Sequence, residues 1–102
     1  MNDIDLRVGV ILSAEEFPEA RRPAWKLLIH VGPLGTLRSS AQITRYPREE
    51  LVGRRVVVAV NLGEKQIANF ISQCLVLAAV DDEGTPYLLG VDEGAEPGQR
   101  VA

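Results

Sequence analysis

The chain has 102 residues, 46% hydrophobic and 25% charged, with one cysteine, one histidine and a formal charge of −3. That length suits a single domain over residues 1–102, which at this size buries roughly two-thirds of its unfolded surface without staples. One cysteine excludes an internal disulfide framework, the apolar content excludes wholesale disorder, and runs such as Val56–Val60 are far too short to span a bilayer. The N-terminus carries Asp3 and Asp5 where a signal peptide needs a basic start and an apolar stretch. The expectation is a cytoplasmic protein without membrane insertion.

Alternation is the dominant period, and it predicts strands. From Asp5 to Ser13, Leu6, Val8, Val10 and Leu12 share one parity, which predicts a strand with that face buried and a bend or bulge at Gly9. Pro18 and Pro23 break the pattern. Trp25, Leu27, Ile29 and Val31 resume it, and Gly32-Pro33-Leu34-Gly35 should turn this second strand into a hairpin with Thr36–Ile43. Tyr46 to Gly53 is the one helical signal, with proline at its start, acids in the first turn and glycine just past its end. Arg55–Val60 is the most β-branched run and predicts a central strand. Asn61–Phe70 reads as a loop. Ser72–Val80 reads as one strand, apolar on both parities. Asp81–Gly84 reads as a hairpin turn leading to a short strand at Tyr87–Leu89, and Asp92–Gly98 as a turn before Gln99–Ala102. Strand, strand, strand, short helix, strand, strand is the order of an all-β, five-stranded OB-fold antiparallel barrel.

The charge is unevenly placed. Residues 1–20 carry one basic and five acidic side chains, residues 21–65 nine basic and three acidic, and residues 66–102 one basic and six acidic. A basic middle can build a positive face on an acidic protein. Catalysis and metal binding find little support, because His30 is the only imidazole and Cys74 sits in an apolar strand. No glycine-rich phosphate loop is present, so no cofactor is expected and the chain reads as a binding protein. Its polar stretch Arg38, Ser39, Ser40, Gln42 and Thr44 lies in a predicted strand beside Lys26. The Asn61–Phe70 loop adds Asn61, Lys65, Gln66, Asn69 and Phe70. On an OB barrel, the outer face of the second and third strands and the adjoining loops form the ligand groove.

Asp5-Leu6-Arg7-Val8-Gly9, Phe17 to Leu27, and Ser39-Ser40-Ala41-Gln42-Ile43-Thr44 closely resemble the CsaA family of secretion-related chaperones. Leu51–Arg54, Val56–Leu62, Lys65-Gln66-Ile67, Ser72 and Leu75–Ala78 continue the likeness over nearly the whole chain. That family in turn resembles the tRNA-binding domain appended to some methionyl- and phenylalanyl-tRNA synthetases. The resemblance implies a non-catalytic OB-fold homodimer that binds unfolded or pre-secretory polypeptides, with tRNA as the alternative partner. It implies a groove built from Lys26, Ser39, Ser40, Gln42, Asn61, Lys65, Gln66 and Phe70; Arg38 from the polar strand and Ser72, a shared mark of the family, complete the candidate set. Gly63-Glu64 departs from the family's proline pair, and Ile71–Cys74 from its Met-Ser-Glu-Val-like segment. A two-faced strand at Ser72–Val80 would fit a dimer burying its second face.

Overall fold

The computed structural model describes residues 3–102. Its strands are β1 (Leu6–Glu16), β2 (Trp25–His30), β3 (Thr36–Ala41), β4 (Arg55–Ala59), β5 (Lys65–Ile67), β6 (Phe70–Ser72), β7 (Leu75–Val76), β8 (Ala78–Val80) and β9 (Pro86–Leu88). One short helix, α1 (Arg48–Leu51), separates β3 from β4. The main sheet is antiparallel in the order β3-β2-β1-β4-β7, and β5-β6 and β8-β9 are two-stranded ribbons.

Strand β1 is long enough to serve two partners. Leu6–Val10 pairs with β4, and Val10–Glu16 pairs with β2. The first half also takes the C-terminal segment: the Gly98 amide donates to Val8 O (2.8 Å), Val8 to Gln99 O (2.9 Å) and Val101 to Leu6 O (2.8 Å). Arg7 adds a side-chain tie, with Nε 2.7 Å from Asp5 Oδ1 and Nη1 donating to Gly98 O at 3.1 Å.

The seam between β3 and the β6–β7 connection is closed largely by side chains. Arg38 N donates to Gln73 Oε1 (2.9 Å), Ser40 N to Ser72 Oγ (3.1 Å), and Ser39 Oγ to Cys74 O (2.8 Å). Buried backbone groups that no neighbouring strand satisfies must find such partners. Sheet and seam together make a nearly closed five-stranded antiparallel barrel of OB type. Its interior holds Ile11, Leu27, Ile29, Val31, Leu51, Val56 and Val58, all essentially without exposure.

Four local expectations are corrected. The interior parity of β1 is that of Gly9 and Ile11, not that of Leu6, Val8, Val10 and Leu12. A side chain on Gly9 would meet Ile29 Cγ2 at 2.6 Å, so Ile29 fills the space above it. Val8 is buried outside the central cluster, alongside the C-terminal segment, and Leu12 is exposed. The bulge falls between Ile11 and Ser13 rather than at Gly9. Asn61–Phe70 is not all loop: it contains β5, which pairs with β6 across the tip Ala68-Asn69, where Ala68 takes φ 51°. Ser72–Val80 is not one strand but the end of β6 followed by β7 and β8.

The remaining elements fall where expected. Pro47 caps α1, and Gly53 follows with φ 87°. The β8–β9 turn is organised by Asp81, whose Oδ1 accepts from Glu83 N and Thr85 N, both at 2.9 Å. Those bonds, Thr85's foremost, hold its carboxyl below the usual carboxylate range. A 3-10 turn, Gly32–Leu34, joins β2 to β3. Gly98 passes so closely over it that a Cβ on Gly98 would lie 2.6 Å from Pro33 Cδ, and one on Gly32 would strike the Pro97 carbonyl. Among the described residues, no helix is long and apolar enough to cross a membrane.

Candidate binding groove

Antiparallel pairing sets Lys26 opposite Ser40 and Leu28 opposite Arg38 across β2–β3. These four side chains share the outer face, because residues two apart along a strand point the same way. Ser39 has the other parity, opposite Leu27, and is fully buried with its hydroxyl committed to Cys74 O. It holds the seam rather than lining a surface, which corrects the expectation that groups it with Arg38 and Ser40. Ser72 is also buried. Its hydroxyl accepts from Ser40 N and donates to Cys74 O (3.3 Å), so it borders the groove mainly through that bracing.

Beyond β3 lies a groove of about 470 Å³, lined by Ser40, Gln42, Leu62, Lys65, Ile67, Ser72, Leu75 and Val76 among others. A second concavity of about 580 Å³ shares Ser40, Gln42, Lys65 and Ile67 with it and adds Gln66, Arg21 and Arg22, with Glu19 at its edge. A smaller recess of about 140 Å³ collects Ser13, Glu15, Lys26, Leu28, Arg38 and Phe70. The structure thus brings Ser40, Gln42, Lys65, Gln66 and Ser72 together. It sets Lys26, Arg38 and Phe70 beside them, joined through the Lys26–Ser40 register.

Phe17, absent from the sequence-predicted set, organises the second group. Its ring meets Phe70 edge-on with centroids 5.5 Å apart. Lys26 Nζ lies 5.5 Å from the Phe17 centroid, and the Arg38 guanidinium 5.9 Å from that of Phe70. Two cations are thereby pinned on two packed rings, which reduces their freedom without neutralising them. The signal in the sequence was Phe17 immediately before Pro18, which reads only as a strand break.

Asn61 lies outside this arrangement. Its side chain accepts from Asp5 N (2.8 Å) and donates to Asp3 O (2.8 Å), clamping the chain ahead of β1. Gly63 has φ 86°, a conformation closed to proline, so this backbone could not carry a proline at position 63. Cys74 borders the groove, but burial pushes its thiol up to about 11, against a smaller opposing pull from the Ser39 hydroxyl. A neutral thiol is a poor nucleophile and a poor metal ligand. Among the described residues no cluster of three or more His, Cys, Asp or Glu side chains could hold a metal.

The groove therefore offers an apolar floor and polar rims, with two cations held over rings in the neighbouring recess, and comparison with known proteins places the chain in a family. CsaA chaperone proteins give near-complete overlays. The one from Picrophilus torridus has a TM-score of 0.91 and 46% identity, covering 98% of this chain and 92% of that one. The one from Bacillus anthracis has a TM-score of 0.91 and 41% identity, covering 100% and 99%. The methionine–tRNA ligase of Methanocaldococcus jannaschii is 36% identical over 101 residues, 99% of this chain but only 15% of that enzyme. Residues 6–100 match the family described as "Putative tRNA binding domain". The chain belongs to that tRNA-binding-domain family and, within it, to the CsaA group.

Proposed function

We propose that this protein is a non-catalytic, chaperone-type binder of unfolded polypeptides, and that the groove beside β3 is where extended segments lie. The supporting observation is the pairing of an apolar floor (Leu62, Ile67, Leu75, Val76) with the uncharged polar rim Ser40 and Gln42. Apolar contacts hold side chains of varied sequence, while amides and hydroxyls meet the backbone that every polypeptide shares. The full-length likeness to CsaA proteins supports the same reading.

The test is binding of a permanently unfolded, reduced and carboxymethylated protein, followed by fluorescence anisotropy. Leu62→Glu and Leu75→Glu, both at exposed positions, should each weaken capture about tenfold, equivalent to about 1.4 kcal/mol. Raising salt should change wild-type binding little. Unaltered affinity in both variants would sink the reading.

A homodimer accompanies it. Val80 and Leu89 are 64% and 42% exposed on and just beyond the β8–β9 ribbon, and a second copy would cover such surface. Two grooves on one particle would then act on one long client with avidity. Light scattering should return twice the chain mass of 11.1 kDa at micromolar concentration, and Val80→Glu should return the monomer. A monomeric wild type would overturn this part.

A second reading is RNA binding, favoured by Arg21, Arg22 and Lys65 around the second concavity and by the tRNA ligase relatives. Its signature is steep weakening with salt as counterions return to the phosphates.

A further inference from the structure

A second basic cluster stands apart from the groove. Arg45 lies between two tyrosines, its guanidinium carbon 4.5 Å from the Tyr46 centroid and 4.8 Å from that of Tyr87. Arg54 approaches the same Tyr46 ring at 5.0 Å, and Arg48 covers Trp25 at 5.5 Å. The rings are themselves fixed. Trp25 Nε1 donates to Tyr46 O (3.1 Å), and the buried Tyr46 accepts at its hydroxyl from Leu88 N (3.0 Å). None of these residues lines either of the two larger concavities.

Three features define what this cluster can hold. Arg45 and Arg48 are exposed and Arg54 half-buried, so a ligand in solvent can reach all three. Glu49 and Glu50 are nearby in sequence, yet among the described residues the only ion pair is Arg7–Asp5. Among the described residues none of the three guanidiniums donates a hydrogen bond to a protein group, so the ring contacts leave their N–H donors available. Three guanidiniums held in fixed directions, none spent on a carboxylate, suit several phosphates in a row better than one small anion.

We propose that this arginine–aromatic cluster grips the phosphodiester backbone of RNA, as a site separate from the groove; this rests on the RNA-binding reading above. The groove can then hold a polypeptide while the cluster holds RNA. The pinned arginines lose little further freedom when a phosphate arrives, so each contact keeps most of its charge-assisted strength.

The experiment is titration of fluorescent bulk tRNA across a salt series, with wild type, Arg45→Gln/Arg48→Gln, Arg21→Gln/Arg22→Gln and Tyr87→Leu. All substituted side chains are exposed, and thermal melts check that each variant folds. Loss of two phosphate contacts should cut the slope of log affinity against log salt by about 1.4, at about 0.7 per contact on single strands. That change belongs to Arg45→Gln/Arg48→Gln. Tyr87→Leu should weaken binding about threefold, because Arg45 loses one of its two rings. Capture of the carboxymethylated protein should be unchanged in both. If wild type binds tRNA but the slope falls only in Arg21→Gln/Arg22→Gln, the cluster is not the site and the RNA reading survives. If wild type does not bind tRNA at low salt, both fall.

Discussion

Gly32→Ala is expected to lower stability by about 3 kcal/mol, from a strained left-handed residue and an overpacked contact each costing about 1–3 kcal/mol. Gly32 takes φ 55°, and its missing Cβ is what lets the Pro97 carbonyl seat against the β2–β3 turn. Gly53, just past α1, separates the two causes. It has φ 87° but nothing within 4 Å of where a Cβ would stand, so Gly53→Ala should show a left-handed penalty alone, about 1–2 kcal/mol. Urea midpoints of the two variants measure the difference. Equal midpoints would mean that the C-terminal segment does not press on the turn.

Ile29→Ala is expected to cost about 3–4 kcal/mol, within the range for emptying a fully packed aliphatic site. Ile29 has no exposure, and its Cγ2 occupies the place where Gly9 has no side chain. This contact makes a sharper claim than the cavity alone. Gly9→Ala in the wild-type background should cost about 1–3 kcal/mol by overpacking. In the Ile29→Ala background the new methyl should enter space already vacated. The double variant should therefore be more stable than the sum of the singles predicts, by at least about 1 kcal/mol. Additive effects would show that Gly9 is small for another reason.

That same pair explains where the sequence misleads. Four aliphatics at Leu6, Val8, Val10 and Leu12 outweigh Gly9 and Ile11 on any hydrophobicity count, so the inner face of β1 is assigned to the wrong parity. Val8 is nonetheless buried where the C-terminal segment hydrogen-bonds to the edge of β1, a contact some 90 residues away in sequence that no local pattern encodes. The second, third and fourth strands, α1 and the Asp81–Gly84 turn were legible because their signals are local. The β5–β6 ribbon was not, since its tip is Ala68-Asn69 with no glycine to announce a positive φ.

At the site, strict alternation separates Ser39 from Arg38 and Ser40, and composition alone conceals this. Arg38, Ser40 and Lys26 share the outer face, while Ser39 and Ser72 close the barrel. Asn61 looked like a ligand group and instead clamps the segment before β1. The floor of the groove, Leu62, Ile67 and Leu75, and the recruitment of Phe17 depend on how the ribbons fold back. They become visible only in three dimensions.

The pairing of Leu6–Val8 with Gly98–Val101 has a kinetic consequence. Strands joined over so long a loop raise the contact order, and such contacts form late because chain closure must come first. On the ribosome, β1 emerges well ahead of Gly98–Val101, and its outer edge stays open until that segment has been made. Throughout that interval the unpaired edge is exposed to the same sheet-to-sheet association that threatens any nascent β protein. A protein proposed to shelter unfolded chains thus presents, while this domain is being made, the kind of open edge that needs shelter.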